Sequence, residues 1–539
     1  MNYTKLLISM LLASIAVQPN QTYSMSRLFN LRNFALVGAT AALGTLAYKT
    51  ANNLYFNSIH WDWKNIDPIH ITIDAAAAGL DIAGDTNMII SIAEFYKLHT
   101  QKLQAVQEDR NTSYNEFLWG TATSSYQVEG HCTNNQWNFF EGQMLDGEKV
   151  ETAGIACDSW NHEDEDIAHM KELGVNTYRF SIEWSKVCPK SGVINKEVLN
   201  HYKQFCIKLV NNGIKPVITL YHYTEPQWFY YKRGFEYKEN IEDFVFFCQK
   251  VFEELHEYVY AWFTFNAPEG IALGGWLAGV KPPAKKDMQL AVTVLRNILE
   301  AHVQVYKRIK SLPGGKESRI GILKNILQLD PWNIANPLDH LGCYIGNILQ
   351  NDSIYNFFTT GIFKVYIPFK VDVYHSSPDA IHSLDFIGLN YYCHNYIKNF
   401  KTIREPNSKI EIPTNNKKYT IYAEGLHRAI EEISKRIAKP LGIPIYITEN
   451  GIGTNSDEHR ILHNQRSLYA LARAIQDGHD VRGYIHWSLL DNFEWGKYSK
   501  FYGLYAVDRT TPNLTRSKKP SAWYFESVVK GLPPVQLAQ

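Results

Sequence analysis

A chain of 539 residues, 45% hydrophobic and 13% aromatic, can bury one large core, and barrel folds commonly run longer than a simple residues-per-domain count allows. Its 54 basic and 54 acidic side chains cancel, which argues against a nucleic-acid partner drawn in by a global field and is compatible with a neutral small-molecule substrate. The seven cysteines (Cys132, Cys157, Cys188, Cys206, Cys248, Cys343 and Cys393) lie far apart, with no C-x-x-C pair and no zinc-like histidine spacing. Buried reduced thiols are expected, and neither a metal nor a cofactor is implied.

In chain order, residues 1–24 read as a candidate secretory signal: Lys5 precedes an apolar run over 6–17, and Ser14-Ile15-Ala16 offers a small-residue cleavage site. Residues 25–110 form an extension of different character. Its apolar run over 34–48 follows Arg27 and Arg32 but is shorter than the roughly 20 residues that span a bilayer comfortably. A marginal membrane helix, a signal beginning at Met25 and an apolar helix packed on the main domain all fit it. A further stretch over 71–98, with scattered Ala, Gly and Ile, reads as helix. These features favour export or membrane anchoring over a cytoplasmic location.

Residues 111–539 alternate short β-branched or aromatic runs with amphipathic stretches, the pattern of repeated βα units around a parallel sheet. Strands are predicted over 117–122, 176–182, 216–220, 260–265, 320–323, 384–389, 444–448 and 483–487. Eight such runs predict an α/β fold, a TIM (β/α)8 barrel with an apolar N-terminal extension. Helices are predicted between them, over 163–173 with Ile167, Met170 and Leu173 on one face, and over 463–477 with Leu468, Leu471 and Ile475.

Polar and aromatic residues gather just after the predicted strands, the end at which barrel enzymes place their chemistry. Ser125-Tyr126-Gln127-Val128-Glu129-Gly130 follows the first strand, Arg179 and Trp184 belong to the second, and Tyr221-His222-Tyr223 to the third. Asn266 closes the fourth. Glu449 stands where the apolar run over 443–447 meets a polar turn, and His486-Trp487-Ser488 ends the last strand before Glu494 and Trp495.

The motifs F-L-W-G-T-A-T-S-S-Y-Q-V-E-G, Y-R-F-S-I-E-W-S, T-L-Y-H, T-F-N-A-P, G-L-N-Y-Y, I-T-E-N-G and W-S-L-L-D-N-F-E-W occur in that order. Over roughly 114–529, about three quarters of its length, the chain resembles the β-glucosidase-type members of glycoside hydrolase family 1. The resemblance implies a β-glycoside as substrate and a retaining mechanism, in which one carboxylate attacks the anomeric carbon and a second carboxyl protonates the leaving oxygen, then deprotonates water. Glu449 matches the nucleophile. Arg179 matches the arginine whose fixed charge would hold Glu449 ionised, and Tyr392 the hydroxyl that bonds it, with Tyr391 as the competing choice.

Gln127, His222, Asn266 and Glu494 match the groups that satisfy the ring hydroxyls of the glycone, Asn266 at the 2-hydroxyl. Trp487 matches the stacking floor and Trp495 a side wall. Glu494 implies an unphosphorylated glycone, since members acting on 6-phosphorylated sugars usually lack this carboxylate. Tyr223 departs from the family's usual Trp, which leaves a glucose or galactose preference open.

The main departure is Ala267, where the family pattern T-F-N-E-P carries the acid/base glutamate. Three explanations fit: a deliberate replacement, a natural loss yielding a sugar-binding pseudoenzyme or receptor, or another group supplying the proton. Plant thioglucosidases of the family also lack this acid and cleave aglycones that leave unprotonated. Glu269 is the nearest alternative donor, though two residues along an extended strand span about 6.6 Å.

Overall fold

The computed structural model describes residues 116–531 apart from 409 and 415–419. The signal, extension and membrane readings for 1–110 lie outside the described residues. Among the described residues no helix is long and apolar enough to cross a membrane.

Eight strands close a parallel barrel: β1 (Leu118–Ala122), β2 (Thr177–Ser181), β3 (Lys215–Tyr221), β4 (Ala261–Asn266), β5 (Ile320–Asn325), β6 (Phe386–Tyr391), β7 (Ile445–Asn450) and β8 (Val481–Trp487). Each pairs with its chain neighbour, and β8 closes the ring on β1. Almost every strand residue is buried, because helices cover the outside and side chains fill the inside. The two-residue period sorts them on β3: Ile218 and Leu220 join the large outer core, while Val217 joins an inner layer with Leu118, Phe263, Leu323, Phe386 and Tyr446. That inner layer makes the barrel a packed core rather than a pore.

Outer helices bury one stripe each. Met288–Lys310 is capped by Asp287, whose Oδ1 accepts from the Leu290 amide at 2.9 Å, and ends with Lys307, Arg308 and Lys310 in the last turn, where cations complement the helix dipole. The predicted helix over 163–173 has those bounds. The one predicted over 463–477 begins earlier, as Asp457–Gln476, because Ser456 caps it and Asp457 and Glu458 occupy its first turn before the apolar stripe starts.

Strand ends differ from expectation by at most two residues. β4, β5, β6 and β7 run further than predicted, to Asn266, Asn325, Tyr391 and Asn450. Asparagine is a poor strand former. Here it stays in the ladder because Asn266, Asn390 and Asn450 bond across the barrel mouth. The register brings the rim residues together: Ala122 pairs with both Arg179 and Trp487, and Asn390 with both Asn325 and Glu449. Register shifts fall on β4, β6 and β7, the kind of irregularity that re-aims side chains beside active sites. All seven cysteines are buried free thiols.

Candidate active site

The barrel mouth holds a cavity of about 380 Å³, within the range of small-molecule sites. On its wall, β4 ends and the backbone turns at Ala267, whose φ of +51° and ψ of 71° place it in the left-handed region before Pro268 starts the helix Pro268–Ala272. A side chain there costs about 1–2 kcal/mol. The turn is held by the Ala267 amide, which donates to the Leu323 carbonyl at 2.9 Å. Tyr223 (φ +64°) and Trp495 (φ +45°) line the same cavity in the same unusual region. With Asp146 (φ +52°), four non-glycine residues of positive φ line this one cavity, and such conformations persist where the surroundings over-determine them.

Glu449, at the end of β7, is 4% exposed. The buried Arg179 guanidinium ion-pairs with its Oε1, and the Tyr392 hydroxyl donates to Oε2 at 2.6 Å. Burial and the charge of Glu449 raise the Tyr392 hydroxyl well above its ordinary range, so it remains a donor. Arg179 also donates to Thr219 Oγ1 at 3.1 Å, and its Cζ lies 5.9 Å from the centre of the Trp487 ring. Removing one partner of a buried ion pair strands the other. Arg179→Met is therefore expected to lower stability by about 3–5 kcal/mol, read as a shifted denaturation midpoint. An unchanged midpoint would show that Glu449 needs no counter-charge.

A polar chain crosses the floor. Thr448 Oγ1 donates to Asn390 Oδ1 (2.7 Å), Asn390 Nδ2 to Asn266 Oδ1 (2.8 Å), and Asn266 Nδ2 to His222 Nε2 (2.9 Å). Burial, with Arg179 and Lys281 nearby, keeps His222 neutral. Its Nδ1 is then the N–H, buried and without a protein partner, a donor suited to a ligand oxygen. On the other side, Glu494 Oε2 accepts from Gln127 Nε2 at 2.9 Å and from Trp487 Nε1 at 3.4 Å. Burial pushes Glu494 up to about 7, against the pull of Lys500 and Gln127. The Trp487 and Trp495 rings both lie roughly parallel to His222, at 5.7 and 5.9 Å.

Matching was found between residues 110–532 and the family model for glycosyl hydrolase family 1. This chain belongs to glycosyl hydrolase family 1. β-Glucosidase A of Thermotoga maritima is 30% identical over 444 residues, 77% of this chain and 97% of that protein, and β-glucosidase A of Acetivibrio thermocellus is 31% identical over 451 residues, with the same two coverages. Among solved structures, the family 1 β-glucosidase of T. maritima in complex with isofagomine lactam superposes with a TM-score of 0.69 at 29% identity, covering 77% of this chain and 98% of that one. The β-glycosidase of Pyrococcus horikoshii gives a TM-score of 0.67 at 31% identity, covering 77% and 94%.

Within this family 1 chain, His222, Tyr223, Asn266, Ala267, Tyr392, Glu449, Trp487, Glu494 and Trp495 line one cavity. Arg179 and Gln127 stand one layer back, behind Glu449 and Glu494 respectively, and both are fully buried. Of the two adjacent tyrosines, Tyr392 reaches Glu449, whereas Tyr391 donates to the Tyr422 carbonyl at 3.0 Å. Glu269 faces away from the cavity: its Oε1 accepts from the Asn325 amide at 2.9 Å and lies 3.5 Å from the buried Lys324 ammonium. The helix that begins at Pro268 rotates it there, so the extended-strand spacing does not apply. Sequence reading missed Asn390, visible only as the middle of G-L-N-Y-Y, and Lys281, which lies in a Gly/Pro-rich stretch without periodicity.

Proposed function

We propose that this chain is a retaining β-glycosidase of the β-glucosidase type, acting on unphosphorylated β-glycosides through a glycosyl intermediate on Glu449. The observation that carries the reading is the carboxylate of Glu449, held between Arg179 and Tyr392 on the wall of a sugar-sized cavity. The ion pair with Arg179 and the hydrogen bond from Tyr392 hold the carboxylate in place on the cavity wall, where it can attack the anomeric carbon of a bound glycoside. Glu494 and Asn266, positioned by Gln127 and Asn390, accept and donate to ring hydroxyls, and the Trp487 ring gives a C–H face its stacking surface. The relatives named β-glucosidase support a glucoside as the first substrate to try.

Position 267 supplies no proton, because its side chain is a methyl. Protonation of the leaving oxygen is accordingly the weak step, and turnover depends on how good the leaving group is. An activated aryl β-glucoside, whose phenolate departs without a proton, should give a burst and add one glycosyl mass to the peptide containing Glu449. Absence of that adduct at every pH and with every leaving group sinks the reading. The competing reading, a carbohydrate receptor, draws on the same methyl and would instead show saturable glucoside binding with no adduct.

A further inference from the structure

We propose that Lys281 serves as proton donor and acceptor for this site in place of the carboxyl absent at position 267, a role that rests on the covalent reading above. Lys281 follows the π-helical turn Leu273–Ala278 and precedes Pro282, and its side chain enters the cavity that Ala267 and Glu449 line. Its Nζ lies 3.3 Å from the centre of the Tyr223 ring and 5.9 Å from that of Trp495. Tyr223 and Ala267 also share Gly270 as a neighbour. A Cβ placed on Gly270 would stand 2.3 Å from the Tyr223 hydroxyl oxygen and 3.4 Å from the Ala267 Cβ, so hydroxyl and methyl both stand beside that glycine. The ring that carries the ammonium on its face thus lines the same cavity as residue 267 and reaches the same glycine.

Lys281 forms no ion pair among the described residues, and its proton is not committed to a carboxylate. The groups whose charges reach it come from every side: Glu494 and Lys500 from the C-terminal loop, Glu449 from β7, and Glu269 from the helix behind position 267. His222, directly after β3, is neutral. Burial brings Lys281 down to about 7 against the three carboxylates, which suits a group that must both give and take a proton near neutral pH.

The two half-reactions balance without any further reagent. A Glu449 oxygen bonds to the anomeric carbon as the glycosidic C–O bond breaks, and the leaving oxygen takes a proton from the Lys281 ammonium, leaving the neutral amine. Water then attacks the anomeric carbon, the amine accepts the proton that water loses, and the bond to Glu449 breaks to return the carboxylate and the ammonium.

Two probes separate proton donation from every other role: dinitrophenyl β-glucoside, whose phenolate leaves unaided, and methyl β-glucoside, whose methoxide does not. Lys281→Met in the full chain should lower kcat/KM on the methyl glucoside by roughly 10²-fold or more, while Glu449 is still glycosylated by the dinitrophenyl glucoside at a rate within a few-fold. That adduct also reports that the variant is folded. In the unsubstituted chain, kcat/KM for the methyl glucoside should fall as pH rises through about 7, as the ammonium is lost. Glu494 titrates in the same range, and the dinitrophenyl glucoside shares Glu494 but needs no proton, so the falling limb must be absent from its glycosylation rate.

Lys281→Arg, charged throughout, should behave as Lys281→Met does. An equal loss on both probes, methyl-glucoside activity retained by Lys281→Arg, or a leaving-group-dependent loss in Tyr223→Phe without one in Lys281→Met would each overturn the assignment. If no adduct forms on Glu449 in the unsubstituted chain, the covalent reading itself fails, which is a different outcome.

Discussion

Ala267→Glu, introduced into a chain carrying Lys281→Met, should raise kcat/KM on methyl β-glucoside by roughly 10²–10⁴-fold, the span that general acid–base catalysis commonly supplies. The expectation rests on what surrounds the position. Ala267 lines the cavity together with Glu449, its amide is tied to the Leu323 carbonyl, and the polar chain from Thr448 to His222 is complete without it. With Lys281 present the gain should be smaller, because part of the protonation is already met. The restored carboxylate would then sit near the ammonium and favour its charged form, moving the falling limb to higher pH. Steady-state rates on the two probes decide the matter: no gain on the methyl glucoside in the Lys281→Met background would mean that residue 267 does not face the scissile oxygen.

Glu449→Gln should remove turnover of even the dinitrophenyl glucoside, on the order of 10⁶-fold, as loss of the attacking group does in other covalent enzymes. The amide retains an oxygen for the Tyr392 hydroxyl but cannot form a stable ester with the anomeric carbon, and it leaves the buried Arg179 without its counter-charge. Glucoside binding in the variant, measured by calorimetry, checks that the cavity survives. Residual turnover near the original rate, in a chain freed of contaminating glycosidase, would transfer the role of nucleophile to another residue.

Much of the fold was legible because a buried parallel strand must be apolar on both faces, and the eight runs stand out against the amphipathic helices. Strand ends were legible only to within two residues. Asn266, Asn325 and Asn450 look like turn residues in one dimension and are retained in strands by partners elsewhere in the chain. Motifs named Glu449, Asn266, Trp487 and Glu494, and all four line the one cavity. Depth was not. A sequence pattern does not say that Gln127 and Arg179 sit behind the lining, nor that Pro268 turns Glu269 away from the cavity. Lys281 escaped notice for the opposite reason: it has no motif, and only the path of the chain through Leu273–Ala278 folds it over Tyr223.

The left-handed backbone at residue 267 has a consequence for how this site changes over generations. Its torsions are imposed by Leu323 and Pro268, not by whatever side chain stands there, and glutamate and alanine suffer the same steric penalty from their shared Cβ. Exchanging the two adds no backbone strain at this position. Some alanine and glutamate codons differ by a single base, so a lineage with this barrel can pass between the two side chains in one mutational event that asks no new torsion of the backbone.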